Sequence, residues 1–411
     1  MVAHQPTASM PQCERPTHTL PGQRGHTWCI YAPIGQIRPG EGVVCLLLLL
    51  HSFALGAAFV FLDTPANTLF LHQFSVDTLP YVYMLTAVIT ALLGYGYARL
   101  EARLAPVQLL VATLAFLTVV TGLLYGALWV SEAPWLTLGL MVWKDVQWVF
   151  ADVEFWALAG LLFNVRQGKR LFGLIGTGAV TASIAGGFSM PLVVQTTGTL
   201  NLLLLSVVSM VAALGVLLYT IRRFAGRFTP SEGQPEHQQE TSPMLHLFQE
   251  RYMGLFFSLS ILAILGYCCL EYVFYDQIER VFLEKDALAS FFGRYCAILG
   301  LIELISTACV SGPLLLRYGL SFGLLALPVM NTLTTGVAIA TGLLFGSTGL
   351  FLWAVVGCKL VDEVLRNSLQ TLTFRLLYQP LPEGNACAFR RCANPLWNPS
   401  RSVFQGSSSS S

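Results

Sequence analysis

The sequence predicts an all-α, polytopic membrane protein built as two helical halves, and three observations carry that prediction. Charge is scarce: 23 Lys and Arg plus 22 Asp and Glu make up 11% of 411 residues, against roughly 25% in soluble domains. Apolar residues make up 55% and the mean hydropathy is +0.63. Ten stretches are long and apolar enough to cross a hydrocarbon core of about 30 Å, which takes roughly 20 helical residues. A polar linker divides them into six and four. So few charges cannot coat a soluble surface of this size. Bulk disorder would need low hydrophobicity, and a net charge of +1 without a basic run argues against a nucleic-acid polymer as partner.

The chain opens with a leader, 1–42, rich in Pro, Gln, His and Thr and lacking the apolar core of a signal peptide. Spans follow at about 43–62, 79–98, 105–129, 134–162, 172–196 and 200–221, forming an N-terminal half over 43–221. Residues 222–251 are a Pro-containing polar linker. The second half, 252–383, holds spans at about 252–275, 289–313, 320–345 and 349–376. Loops on one side carry Arg99, Arg103, Arg166, Lys169, Arg170, Arg222, Arg223, Arg227, Arg251 and Arg317. The opposite loops near 63–78, 130–133, 197–199 and 346–348 carry neither Lys nor Arg. After the seventh span, Arg280 and Lys285 are offset by Glu279, Glu284 and Asp286. The positive-inside bias places the N-terminus in the cytoplasm of an inner-membrane protein. The ten cysteines form no CxxC and no zinc spacing, and read as packing residues.

Charges inside a membrane are costly and mark cavities or pathways. Here they gather on four spans. The first carries His51 and ends at Asp63; the fourth carries Lys144, Asp145, Asp152 and Glu154. The seventh carries Glu271 and Asp276; the tenth carries Lys359, Asp362, Glu363 and Arg366. Arg294 and Glu303 on the eighth are the exception. Spans one, four, seven and ten open successive three-helix units. In the major facilitator fold these helices line a central cavity, and the sequence resembles that plan, with about 10 of its 12 spans.

At 100° per residue, Lys359, Asp362, Glu363 and Arg366 fall within an arc of about 100°, extended by Gln370. On the fourth span Lys144, Asp145, Trp148 and Asp152 share a face, with Glu154 turned away. A shift of 359 − 144 = 215 residues maps Lys144 onto Lys359. These eight residues are the candidate solute-binding set, suited to an anionic or zwitterionic solute. His51 and Glu271 are candidates for a proton relay. The competing reading is a set of neutralised ion pairs locking helices together, and the tenth span's i, i+4 pairs suit it. Lys144, whose nearest acid is the adjacent Asp145, reads as the freer cation.

Residues 169–187, KRLFGLIGTGAVTASIAGG, follow no strand, so Gly176-Thr177-Gly178 is not a nucleotide loop. Small residues at Gly173, Gly176, Ser183 and Gly187 suit close helix packing. Phe163-Asn164, Gly168-Lys169-Arg170-Leu171-Phe172 and Gly173-Leu174-Ile175-Gly176-Thr177-Gly178-Ala179 resemble the ATP/ADP translocases of plastids and obligate intracellular bacteria. Phe61-Leu62-Asp63-Thr64-Pro65-Ala66-Asn67-Thr68-Leu69 is similar to that family's Leu-Arg-Asp-Thr-Lys-Asp-Thr-Leu, with Leu62 and Pro65 where the family has basic residues. The resemblance implies a secondary transporter working by alternating access, with ATP/ADP exchange as the family's activity. It implies no enzyme chemistry, cofactor or metal; the partners are a small solute and the bilayer.

Beyond Glu383 the chain turns polar and serine-tailed over 384–411 and supplies no eleventh or twelfth span. The expectation is an incomplete second half: either a natural ten-span variant or a shifted reading frame, since one codon choice read two nucleotides later resumes a helix-like sequence. The alternative function is then a non-transporting sensor or scaffold, or an inactive relic, on the same fold.

Overall fold

A computed structural model describes residues 38, 41–131, 133–163, 165–227, 251–307, 312–345 and 349–370. The expectations for the leader, for linker residues 228–250 and for everything beyond residue 370 lie outside the described residues. Among the described residues ten long helices follow one another: α1 (Gly42–Gln73), α2 (Leu79–Glu101), α3 (Pro106–Val130), α4 (Pro134–Leu162), α5 (Val165–Thr197), α6 (Asn201–Arg223), α7 (Arg251–Val281), α8 (Lys285–Ile305), α9 (Gly312–Phe345) and α10 (Gly349–Leu365). A π-helical turn over Arg366–Gln370 ends the described chain. Among the described residues there is no strand.

Sequence chemistry explains the boundaries. Prolines open α3 and α4, where a missing N–H costs nothing and the fixed φ is already helical. Between α1 and α2 the Ser75 hydroxyl accepts the Asp77 N–H at 3.4 Å, capping a short 3-10 turn over Val76–Thr78. Eight of the helices are long and apolar enough to cross a membrane. Of the other two, α4 carries four charges in its middle and second half, and the described α10 is short, with 17 residues. The chain is a multi-pass membrane protein. Its lipid-facing surface includes Leu85, Val88 and Leu92 on α2 and Val119 and Leu123 on α3, all exposed.

α1 departs from expectation. The sequence reading ended the first span at residue 62 with a loop after it, yet the helix continues through Pro65 to Gln73. Its 32 residues make it about 48 Å long. A proline gives up one helical hydrogen bond, but Thr64 through Leu71 are all buried. Tertiary packing on every side outweighs the local breaker. Asp63 thereby becomes a mid-helix residue.

α1 is wrapped by α4, α5 and α6. α5 lies between the halves, packed on α1 along one stretch and on α8 along another. Glycine makes both approaches possible. A methyl at Gly178 would sit 2.5 Å from the Leu49 carbonyl oxygen of α1. One at Gly187 would collide with the Gly293 carbonyl of α8 and lie 2.6 Å from Ala297 N. The halves also meet at the face where α1 ends. Tyr272 donates to Asp77 Oδ1 at 2.7 Å, Val76 N–H donates to Glu279 Oε2 at 3.3 Å, and Thr199 donates to Asp286 Oδ1 at 2.9 Å.

Candidate functional site: two lysines between the halves

The site assembles from one helix pair in each half. Lys144 of α4 is 5% exposed, and its Nζ lies 2.9 Å from Asp63 Oδ1 of α1 and 3.6 Å from Asp145 Oδ1. Asn67, one turn beyond Asp63 on α1, donates to Asp63 Oδ2 at 3.0 Å and holds the carboxylate from its other side. Lys359 of α10 is 2% exposed, 3.1 Å from Glu363 Oε1 and 3.7 Å from Glu271 Oε1 of α7. The two arrangements correspond. Each lysine meets one carboxylate from its own helix and one from the helix that opens its half.

Glu271 joins them. Tyr83 of α2, in the first half, donates to Glu271 Oε2 at 3.0 Å, and Tyr267 donates to Oε1 at 3.2 Å. Glu271 lies within Coulombic reach of both Lys359 and Lys144. Tyr295 of α8 donates to Glu363 Oε2 at 3.0 Å. The Tyr267 ring takes the Lys359 ammonium at 3.8 Å from its centroid and the Arg366 guanidinium at 4.7 Å, a cation–π arrangement. Two ammonium groups thus face four carboxylates, Asp63, Asp145, Glu271 and Glu363.

The expectation that Lys144 is a freer cation is therefore corrected. Asp63 reaches it because α1 stays helical through Pro65, a consequence of packing that neighbouring residues do not announce. Asp145, its immediate neighbour, contributes the longer of the two ion pairs.

The other candidate residues fall around this centre. Asp362, fully buried, accepts both Arg366 NH2 contacts at 3.0 Å and the Asn331 amide of α9 at 2.5 Å. The tenth-span pairs thus close within the helix, while Arg366 and Lys359 share the Tyr267 ring. Trp148 is 48% exposed and packs on Phe59 with ring centroids 4.6 Å apart. Asp152 accepts from Trp156 Nε1 at 2.8 Å. Those two sit one and two turns further along α4. His51 pairs with Glu154 inside the first half, apart from the lysines. Among the described residues no cluster of His, Cys, Asp or Glu could hold a metal ion.

Tyr83, Tyr267, Tyr295 and Asn331 were missed by sequence reasoning. Tyr267 stands four residues before Glu271 and was findable as an i, i+4 partner. The others act across helices and leave no local signal.

Comparison with known proteins bears on the family and the fold. The chain is 25% identical over 275 residues to ADP,ATP carrier protein 1 of Chlamydia pneumoniae, covering 57% of this chain and 52% of the relative. It thus spans about half the length of that curated relative. Among solved structures, an inward-facing bacterial homologue of the iron transporter ferroportin aligns with a TM-score of 0.56 at 16% identity, covering 88% of this chain and 92% of the other. The nucleoside transporter NupG aligns with a TM-score of 0.56 at 13% identity, covering 87% and 88%. At these identities the likeness concerns the fold alone. The family model for TLC ATP/ADP transporters matches residues 142–361, more than half of the chain and the whole interval from Lys144 to Lys359, and the chain belongs to that family.

Proposed function

We propose that the protein is a secondary carrier of the inner membrane, with its N-terminus in the cytoplasm, that moves a small anionic solute by alternating access. Family membership makes a nucleotide, exchanged as ATP and ADP, the first solute to test. One observation carries the reading: each half delivers one buried lysine to a shared polar centre, and Glu271 stands within reach of both. A solute oxygen that displaces Asp63 from Lys144, or Glu271 from Lys359, exchanges one ion pair for another at little net desolvation. A solute with two anionic groups bridges the halves, so its occupancy bears on how they move. The carboxylates serve as internal counter-ions that keep the empty lysines tolerable in an apolar interior.

The test is uptake of labelled ATP, ADP and inorganic phosphate into proteoliposomes. Lys144→Ala removes a charge-assisted contact worth about 1.5–3 kcal/mol, so uptake should fall by roughly tenfold or more. Robust uptake that Lys144→Ala leaves untouched would remove this lysine from the solute site.

A further inference from the structure

α1 and α4 run antiparallel and are tied at two levels. Lys144 and Asp63 form one. The second is formed by His51 and Glu154, with His51 Nε2 2.9 Å from Glu154 Oε2. It lies about 18 Å along α1 and about 15 Å along α4 from the first, at 1.5 Å per residue. His51 is 1% exposed and Glu154 0%, with the Phe155 ring stacked on the imidazole at 6.3 Å.

The hydrogen-bond pattern counts the protons. His51 Nδ1 lies 3.2 Å from the Ala213 carbonyl oxygen of α6. A carbonyl has no hydrogen to give, so Nδ1 carries one and donates it. At Nε2, an ionised Glu154 facing a bare nitrogen would set two lone pairs against each other at 2.9 Å. It would also bury a carboxylate whose Oε1 has no hydrogen-bond partner. The contact is satisfied only when one further proton lies between the two atoms, on Nε2 or on Oε2. Either placement leaves the pair neutral overall, the arrangement an apolar interior tolerates.

The geometry points to a proton-binding site here: His51 and Glu154 hold one proton as a structural ligand that ties α1 to α4 and α6. Among the described side chains, the surrounding helices supply no substitute charge; Arg166, Lys169 and Arg170 at the start of α5 lie outside them. On α2, Tyr97 lies within Coulombic reach of Glu154, with Glu101 beyond it. On α4, Asp152 accepts from Trp156. α5 from Leu171 to Thr197 and α6 from Asn201 to Leu218 contain no ionisable side chain. The site is independent of the carrier reading, because it rests on the interior of the first half alone. Its link to the central site is mechanical. The helices that carry His51 and Glu154 also carry Asp63 and Lys144, so a negative charge left on Glu154 loosens both levels.

The experiment is nitrogen-15 NMR and infrared spectroscopy of the bilayer-reconstituted full chain, its other six histidines changed to Gln. The expected result is a protonated Nδ1 together with either a protonated Nε2 or a protonated Glu154 carboxyl. A singly protonated imidazole, on either nitrogen, beside an ionised Glu154 carboxylate overturns the assignment.

Discussion

Lys144 and Lys359 occupy equivalent places in the two halves, yet they are held differently. Lys144 makes a true hydrogen bond to Asp63, which Asn67 braces from behind. Lys359 has its ion pairs at 3.1 and 3.7 Å, while its Nζ has no hydrogen-bond partner and leans on the Tyr267 ring. Their settings differ in the same direction. α1 is enclosed by three helices of its own half, whereas α7 and α9 leave Ile261, Leu262, Leu265, Leu333 and Val337 exposed. Lys144, hydrogen-bonded in a closed setting, braces α1 against α4 as well as carrying charge. Lys359 is held by ion pairs that leave its donor capacity unused.

That contrast breaks first at Lys144. Lys144→Ala leaves Asp63 buried without its cation, and removing one partner of a buried pair costs about 3–5 kcal/mol. The folded fraction in mixed micelles should drop sharply, alongside the loss of uptake. Lys359→Ala should cost less stability, because Glu271 and Glu363 keep hydrogen bonds from Tyr83, Tyr267 and Tyr295, while lowering uptake as far. A larger stability loss at Lys359 than at Lys144 would reverse the comparison.

The next effect is steric. Gly187→Ala forces a methyl into the α8 backbone at the junction of the halves, an overpacking cost of about 1–3 kcal/mol. It should slow transport more than Gly215→Ala, where a methyl meets nothing within 4 Å. Comparable rates for the two variants would show that the α5–α8 contact does not matter to the cycle.

Smaller still is Tyr83→Phe, which removes the hydrogen bond from the first half to Glu271. A loss of about 1 kcal/mol should appear as a downward shift in unfolding midpoint, with the solute affinity of the Lys359 side altered more than that of Lys144. Tyr272→Phe, at the exposed contact with Asp77, should fall at or below the same range and sharpen where the halves part.

Much of the fold was legible because membrane solvation acts locally. Any segment of about 20 apolar residues must become a helix whose backbone bonds close on themselves. Spans could therefore be read one by one, from residues 79–98 to 320–345, and charged residues stood out on four of the ten segments. What escaped was decided between helices. Pro65 suggested an end to the first span, and burial of Thr64 through Leu71 carried the helix past it. Glu154 read as turned away from its neighbours, and it is the partner of a histidine 103 positions earlier. Tyr83 looked like one aromatic in an apolar run, yet it reaches across to Glu271.

By itself, then, the sequence determined a helical membrane protein, the segments that become its long helices and which of them carry charge. These depend on composition and on 3.6-residue periodicity, properties of a segment alone. Only the tertiary structure decided which charges neutralise which: Asp63 for Lys144, Glu271 and Glu363 for Lys359, and a shared proton for His51 and Glu154. Except for the Lys359–Glu363 contact within α10, those pairings depend on the register between helices. That register is set by close glycine contacts and buried surface shared across the bundle, and no single segment encodes it.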